Sequence, residues 1–157
     1  DDTSLDGFDS LFKVKPPLRT SEDIRALKEA VLDGTIDVVC SDHCPEDVES
    51  KDVEFDYAAY GMIGLESFYG VLNTTFDGKL SEERLYEVLV LNPRRILNLE
   101  VPIIKEGAPS NFTLYNPGLE WVFDKKAVKS LSANSPFLGT KFKGKVILSG
   151  NQGGFSE

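Results

Sequence analysis

The stretch Asp37-Val38-Val39-Cys40-Ser41-Asp42-His43-Cys44-Pro45 decides the fold class of this chain. It is an apolar run, rich in β-branched residues, that ends at an acid. Residues 36–40 therefore predict a strand buried on both faces, as in a parallel α/β sheet. Asp42 and His43 follow at the carboxyl end of that strand. Active-site groups collect at this end in barrels and open α/β sheets.

The pair Asp42-His43 has two interpretations. In the first, Asp42 caps the following turn and His43, the only histidine of the chain, lies at the surface. In the second, Asp42 is a carboxylate at a metal site and is aimed into a cleft. A catalytic zinc needs about three protein ligands, which one histidine and two cysteines do not supply convincingly. The local pattern leaves both interpretations open.

Composition excludes several classes of function. The 157 residues are 41% hydrophobic and 27% charged, as in a globular domain. The net charge of −9 argues against nucleic acid and anionic membranes as partners, because both demand basic patches. No apolar run has the length of a membrane-spanning helix. Cys40 and Cys44 do not suggest a disulfide, which favours a cytoplasmic location. The chain begins Asp-Asp-Thr-Ser and is interpreted as part of something longer.

The first forty residues predict a strand, a helix and a second strand. Residues 11–14 are a strand candidate, ended by Pro16-Pro17. Thr20 or Ser21 is a helix N-cap, and apolar residues then recur at helical spacing up to Asp33-Gly34. Residues 36–40 follow as the next strand. This order is that of a right-handed crossover between parallel strands.

The next sixty residues are predicted to be helical, apart from a charged loop at 45–56. That loop is typical of a solvated surface, but it follows Asp42 and could also form the rim of a site. A helix is expected over 65–72 and another from Ser81 to Leu91. Asn92-Pro93 then restarts the chain into a short helix at 94–97.

The pattern changes near Glu100, where we place a domain boundary. Helical periodicity disappears, and short strands are predicted at 111–115, 121–123 and 145–148. These strands are too few to close a sandwich unaided.

Several segments together resemble the dihydroorotases of the amidohydrolase superfamily. The matching segments, in order, are Phe12-Lys13-Val14-Lys15-Pro16-Pro17-Leu18-Arg19, Asp33-Gly34-Thr35-Ile36-Asp37, Ser41-Asp42-His43-Cys44-Pro45, Gly61-Met62-Ile63-Gly64-Leu65-Glu66, Asn92-Pro93, Asn134-Ser135-Pro136-Phe137 and Gly144-Lys145-Val146. Each segment alone is weak, but their common order across nearly the whole chain is specific.

The resemblance implies an α/β fold built on a metal-dependent (β/α)₈ TIM-type barrel with a small β-sandwich. Because such a barrel typically needs about 250 residues, the chain resembles only the C-terminal part of these proteins. Residues 1–100 would be the last barrel strands and helices, and residues 101–157 part of the sandwich. The implied partners are the upstream part of the same protein, which would supply most ligands of one or two zinc ions, and a small-molecule substrate. A homo-oligomer is left open.

The resemblance also implies an activity and its residues. The family interconverts dihydroorotate and N-carbamoyl-aspartate in de novo pyrimidine synthesis. By position, Asp42 would be a metal ligand and the general base. Lys15, His43, Tyr60 and Gly61 would bind the substrate.

Two residues depart from the family pattern. Lys15 stands where the family typically has an asparagine, and Glu46 stands where it typically has a histidine that binds the substrate carboxylate. Either the specificity differs or activity is lost. The alternatives are therefore a noncatalytic homologue with a scaffolding role and a hydantoinase-like cyclic amidase. The Asn-x-Pro-Phe and Pro-Pro-Leu-Arg segments favour dihydroorotase over other cyclic amidases.

Overall fold

The computed structural model describes residues 1–156, with helices in the first two thirds and a sheet in the last third. In chain order the regular elements are 3-10 turns at Asp2–Leu5 and Ser10–Phe12, helices α1 (Ser21–Asp33), α2 (Val48–Lys51), α3 (Phe68–Phe76) and α4 (Glu82–Tyr86), a π turn at Glu87–Leu91, helix α5 (Asn92–Ile96), and strands β1 (Asn111–Val122), β2 (Lys141–Asn151) and β3 (Gly154–Ser156). None of the helices in this part of the chain is long and apolar enough to cross a membrane.

Helix α1 has the ends that its sequence predicts. The hydroxyl of Thr20 accepts the N–H of Asp23 at 3.2 Å and so caps the first turn. Gly34 follows the last turn with a φ of 92°, a left-handed conformation that glycine adopts without a steric penalty. The predicted helix is therefore confirmed at both ends.

The strand predicted at 11–14 does not form. Asp9 accepts the N–H of Leu11 at 2.9 Å and starts the 3-10 turn Ser10–Phe12 instead. A side chain that bonds the backbone locally competes with a strand ladder. The prediction from the apolar pattern was wrong at this position.

Residues 36–40 do not form the buried strand that their sequence predicts. The N–H of Val39 donates to the carbonyl of Val88 at 3.3 Å, which lies in the π turn. The one isolated bridge of the described chain comes later, where His43 pairs in parallel with Met62. Ile36, Val38 and Val39 are half-buried rather than buried on both faces. A strand forms only where the backbone of a neighbouring strand pairs with it, and residues 1–156 place no such strand beside residues 36–40.

The helical region differs from prediction in its boundaries. Helix α3 begins at Phe68, three residues after the predicted start. The helix capped by Ser81 continues through the π turn into α5 instead of stopping at Asn92. Pro93 lacks an N–H and crowds the preceding turn, and a π turn widens that turn. The expected restart is thus a continuous but irregular helix.

The last third forms an antiparallel sheet in the order β1-β2-β3. β1 joins the strands predicted at 111–115 and 121–123. Its register against β2 shifts between Leu114 and Tyr115 and again between Asn116 and Glu120. Such irregularities absorb extra residues without ending the pairing. Pro117 and Gly118, which lie between the two predicted strands, therefore mark an irregularity within one strand rather than a break.

Two buried clusters hold these parts together. The first lies between α1 and α3, around Val31, Leu72 and Phe76. The second joins the segment after Met62 to the sheet, around Ile63, Phe123 and Phe142. Ile63 and Phe123 are fully buried. The second cluster fixes the sheet against the segments that carry the predicted site.

Candidate active site

Three segments meet where the sequence predicts a site. The N–H of Gly61 donates to the carbonyl of Lys13 at 3.0 Å, and the N–H of Cys44 donates to the carbonyl of Met62 at 2.9 Å. Together with the bridge between His43 and Met62, these bonds bring residues 13–15, 42–46 and 60–64 side by side. The predicted site residues all lie in these three segments.

Asp42 occupies an unusual backbone position. Its φ is 43°, in the left-handed region that residues other than glycine rarely adopt. The residue is exposed, and within residues 1–156 its carboxylate has no hydrogen-bond or ion-pair partner. Strained backbone positions of this kind cluster at functional sites. The geometry does not favour the capping interpretation, because a cap would bond a neighbouring N–H.

His43 turns towards the protein. Its Nδ1 accepts the N–H groups of Gly64 at 3.0 Å and Leu65 at 3.2 Å. A ring nitrogen that accepts these bonds carries no proton, so the ring N–H is on Nε2. Nε2 lies 3.4 Å from the hydroxyl oxygen of Ser130. Both ring nitrogens therefore have partners inside the chain.

Glu66 is the third residue of this hydrogen-bonded set, after His43 and Ser130. Its Oε1 accepts the hydroxyl of Ser130 at 2.5 Å and the N–H groups of Ser130 at 2.7 Å and Lys129 at 3.1 Å. Its Oε2 is buried without a partner among the described residues. Burial disfavours the carboxylate, but the hydrogen bonds from Ser130 and Lys129 outweigh it, and the pKa of Glu66 lies below its usual value.

The other predicted substrate-binding residues differ in exposure and in hydrogen bonding. Lys15 is exposed and makes no hydrogen bond or ion pair within the described chain. Tyr60 is 54% exposed. Gly61 has both backbone groups engaged, since its N–H bonds Lys13 and its carbonyl accepts from Lys51 at 3.1 Å. A Cβ at Gly61 would lie 2.7 Å from Cys44.

Two buried lysines support this region, and sequence reasoning missed both. Lys51 donates to the carbonyls of Ala59 at 2.9 Å and Gly61 at 3.1 Å. Burial lowers the pKa of Lys51, although the Glu46 carboxylate opposes this. Lys13 Nζ lies 4.8 Å from the centre of the Tyr60 ring, a cation–π contact. The charged loop at 45–56 is thus not simply a solvated surface.

Asn134 ties the last third of the chain to the site. Its Nδ2 donates to the carbonyls of Cys44 at 3.2 Å and Gly61 at 3.3 Å. Its Oδ1 accepts the N–H of Glu46 at 3.2 Å and the hydroxyl of Ser132 at 2.7 Å. All four bonds that an amide side chain can make are formed. The sequence signal was the Asn134-Ser135-Pro136-Phe137 segment, which sequence analysis used only as a mark of resemblance.

The carboxylate of Glu46 has a partner in Cys44. The thiol of Cys44 donates to Glu46 Oε1 over 3.5 Å. Burial, then this hydrogen bond and the negative charge of Glu46, raise the pKa of the Cys44 thiol. A protonated thiol is a poor nucleophile and a poor metal ligand. Both cysteines are free thiols.

A metal centre is not complete within this chain. No three His, Cys, Asp or Glu side chains of residues 1–156 come together as a set that could hold an ion. Asp42 is the one predicted ligand, and a single exposed carboxylate does not fit a zinc site by itself. Residues 1–156 therefore do not by themselves form the zinc site that the sequence resemblance implies.

Comparison with known proteins supports the resemblance. No protein-family model matches the chain. A dihydroorotase of Syntrophus aciditrophicus is 40% identical over 153 residues, which is 97% of this chain and 36% of that protein. An L-hydantoinase from Arthrobacter aurescens superposes with a TM-score of 0.86 at 27% identity, covering 98% of this chain and 36% of its own. A dihydropyrimidinase from Brevibacillus agri gives a TM-score of 0.85 at 22% identity, covering 99% and 36%.

These matches confirm the sequence resemblance to dihydroorotases of the amidohydrolase superfamily. They also confirm the coarser fold prediction, because the chain has the α/β fold of part of these TIM-barrel amidohydrolases. The chain spans about a third of the length of the curated relatives that it matches.

Proposed function

We propose that this chain is part of a dihydroorotase-type cyclic amidohydrolase that interconverts dihydroorotate and N-carbamoyl-aspartate in de novo pyrimidine synthesis. The single observation that carries the proposal is the 40% identity to a dihydroorotase over 97% of the chain. The exposed carboxylate of Asp42, a residue with left-handed backbone, is the group to which we assign the chemistry.

Asp42 is the general base of the proposed reaction. Water attacks the ring carbonyl while the Asp42 carboxylate takes its proton. The carbon–nitrogen bond of the cyclic amide then breaks, and the same proton passes to the departing nitrogen. The reverse sequence closes the ring. An exposed carboxylate without a partner among residues 1–156 is available for both transfers.

Lys15 supplies the positive charge that a dicarboxylate substrate requires. It is exposed two residues after Lys13, whose carbonyl accepts the N–H of Gly61, and it is not engaged by any described side chain. Glu46 makes no ion pair with Lys15 in the described chain; its carboxylate accepts the Cys44 thiol, and its backbone N–H donates to Asn134. Tyr60 and His43 are the other proposed substrate-side residues. His43 has no free ring nitrogen within residues 1–156, so it contributes through its backbone and through the contacts that hold its ring.

The wider assignments rest on the length of the relatives. We propose that residues 1–100 belong to the barrel and residues 101–157 to a β-sandwich subdomain, with the remaining barrel elsewhere in a longer protein. One or two zinc ions would take most of their ligands from that remainder. The two free thiols favour the cytoplasm.

The test is a substrate comparison with the full-length gene product. We expect turnover of dihydroorotate to exceed turnover of hydantoin and dihydrouracil. A preference for hydantoin would favour the hydantoinase-like alternative, which the L-hydantoinase superposition supports. No turnover of any of the three by a folded, zinc-loaded protein would favour a noncatalytic homologue.

A further inference from the structure

Three side chains form a continuous hydrogen-bonded chain beside Asp42. His43 Nε2 faces the Ser130 hydroxyl oxygen at 3.4 Å, and that hydroxyl lies 2.5 Å from Glu66 Oε1. Ser130 is separated from His43 by 87 residues in sequence. This series of hydrogen bonds therefore connects the turn of Asp42 to a segment in the last third of the molecule.

We infer that Ser130 and Glu66 are positioning residues for Asp42 and act through the ring of His43. The inference rests on the proposed function, since it assigns Asp42 the chemical role. It adds two residues that contact neither substrate nor the reacting atoms.

The direction of each hydrogen bond follows from the structure. Glu66 Oε1 can only accept, so the Ser130 hydroxyl donates its proton to it. The Ser130 oxygen is then left as an acceptor for the ring N–H of His43. This order matches the other side of the ring, where Nδ1 accepts from Gly64 and Leu65. One arrangement of protons satisfies all these contacts.

The carboxylate of Glu66 is costly as a purely structural link. Its Oε2 is buried without a partner in the described chain, and an unsatisfied buried acceptor destabilises the fold. A neutral amide could accept the same N–H groups with less desolvation. A carboxylate, however, is a stronger acceptor and holds the Ser130 hydroxyl in one direction. The ionised group therefore fits a positioning role better than a packing role.

Asp42 needs such support because of its backbone. A left-handed residue other than glycine persists only where its surroundings hold it. The next residue, His43, is held by its bridge to Met62 and by both ring nitrogens. Holding the ring fixes the residue to which Asp42 is attached, and thus the backbone from which the Asp42 carboxylate projects.

The experiment uses the full-length gene product with Ser130→Ala, Ser130→Thr and Glu66→Gln. Amide hydrogen exchange reports whether the ring is still held, because Gly64 and Leu65 donate to it. We expect Ser130→Ala and Glu66→Gln to speed exchange of these two amides about 5- to 10-fold. We also expect kcat on dihydroorotate to fall about 5- to 10-fold with KM and bound zinc unchanged. Ser130→Thr, which keeps the hydroxyl, should restore both.

The matched control is Ser110→Ala. Ser110 is also half-buried and its oxygen accepts a backbone N–H, that of Gly153 at 2.9 Å, but it lies next to β1. This variant should change neither exchange nor kcat. Unchanged exchange in both test variants would overturn the inference whether or not the protein is active. Faster exchange with normal kcat would overturn the positioning of Asp42. A wild type without turnover would refute the proposed function, while exchange would still decide whether Ser130 and Glu66 hold the ring.

Discussion

At the scale of single residues, the site is built from a few side chains that are free and many that are engaged. Asp42 and Lys15 are exposed and have no partner within residues 1–156. Lys51 and Asn134 are buried, at 5% and 6% exposure, and their polar atoms bond backbone groups and, in Asn134, also the Ser132 hydroxyl. The free residues are those suited to substrate chemistry, and the engaged residues hold the segments in place.

Asp42→Asn in the full-length gene product should keep the fold and nearly abolish turnover. The amide preserves the size of the side chain but cannot take a proton, and loss of a general base usually costs about 10²–10⁴-fold. The measurement is kcat on dihydroorotate together with circular dichroism. Asp77→Asn is the matched control, because Asp77 is also exposed and has a φ of 46° but ends α3. Near-normal turnover by Asp42→Asn would exclude Asp42 as the base.

Lys15→Ala should weaken use of a dicarboxylate substrate by about 10–150-fold in kcat/KM, the effect of a charge-assisted contact of roughly 1.5–3 kcal/mol. Glu46→Gln should have little effect, since the Glu46 carboxylate bonds Cys44. Lys79→Ala serves as the control for loss of an exposed lysine elsewhere. Unchanged kinetics of Lys15→Ala would remove this residue from the site.

Sequence reasoning found the free residues Asp42 and Lys15 but missed engaged residues such as Lys51 and Ser130. Asp42 stands out because it is an acid two residues after the apolar run that ends at Cys40. Lys51 lies in a run of charged residues, where burial of one ammonium depends on carbonyls such as those of Ala59 and Gly61. Ser130 has no local signal, because its partners His43 and Glu66 are far away in sequence. Long-range hydrogen bonds of this kind leave no trace in periodicity.

At the scale of elements, local signals decided whether a prediction was right. The cap and stop of α1 act within a few residues, so Thr20 and Gly34 define the helix correctly. The strand at 36–40 depended on neighbours that residues 1–156 do not place beside it. The sequence predicted strands in the last third of the chain. It did not predict that two of them form the single strand β1, because that depends on pairing with β2 across two irregularities.

Gly34→Ala should destabilise the chain by about 1 kcal/mol. The residue adopts a φ of 92°, and a side chain there is strained even though no atom lies within 4 Å of the added Cβ. The measurement is the urea midpoint of unfolding. Gly7→Ala is the control, since it also has open space but not a positive φ. Equal midpoints for the two variants would contradict the role of Gly34 as the helix stop.

The junction of α3, α4 and β1 should weaken in alkali. Burial, followed by the charge of Glu82, raises the pKa of Tyr69 to about 12 from 10.0. Burial and the hydrogen bond to Glu82 also raise the pKa of Tyr115. The unfolded state therefore loses these protons first, so stability is complete below about pH 10 and falls as the pH rises towards 12.

Tyr69→Phe should flatten that fall, and unfolding by urea between pH 9 and 12 measures it. Tyr57→Phe is the control, because Tyr57 is 82% exposed. A profile of Tyr69→Phe that matched wild type would contradict the assignment of the alkaline loss to this junction.

At the scale of the whole molecule, large apolar surfaces remain open. A cavity of about 340 Å³ lies between α1 and α3, lined by apolar residues that include Leu27, Val39 and Phe68. Ile103 and Ile104 are 61% and 90% exposed. Large open apolar surfaces typically mark contacts with other protein segments or ligand-binding grooves. In the proposed full-length protein, the remaining barrel and sandwich elements would cover them.

The same reasoning predicts how the 157-residue chain behaves when it is produced alone. We expect no hydrolase activity on dihydroorotate and only weak zinc binding. The reason is ligand count, since Asp42 is the only predicted ligand and an isolated carboxylate binds zinc poorly. Isothermal titration with zinc and a turnover assay measure both, and the fluorescence of Trp121 monitors whether the chain is folded.

The full-length gene product, measured in parallel, should bind zinc tightly. Asp42→Ala in the isolated chain should leave the weak binding almost unchanged, because one ligand contributes little when the others are absent. Tight stoichiometric zinc binding by the folded isolated chain, lost in Asp42→Ala, would show instead that these residues form a metal centre by themselves.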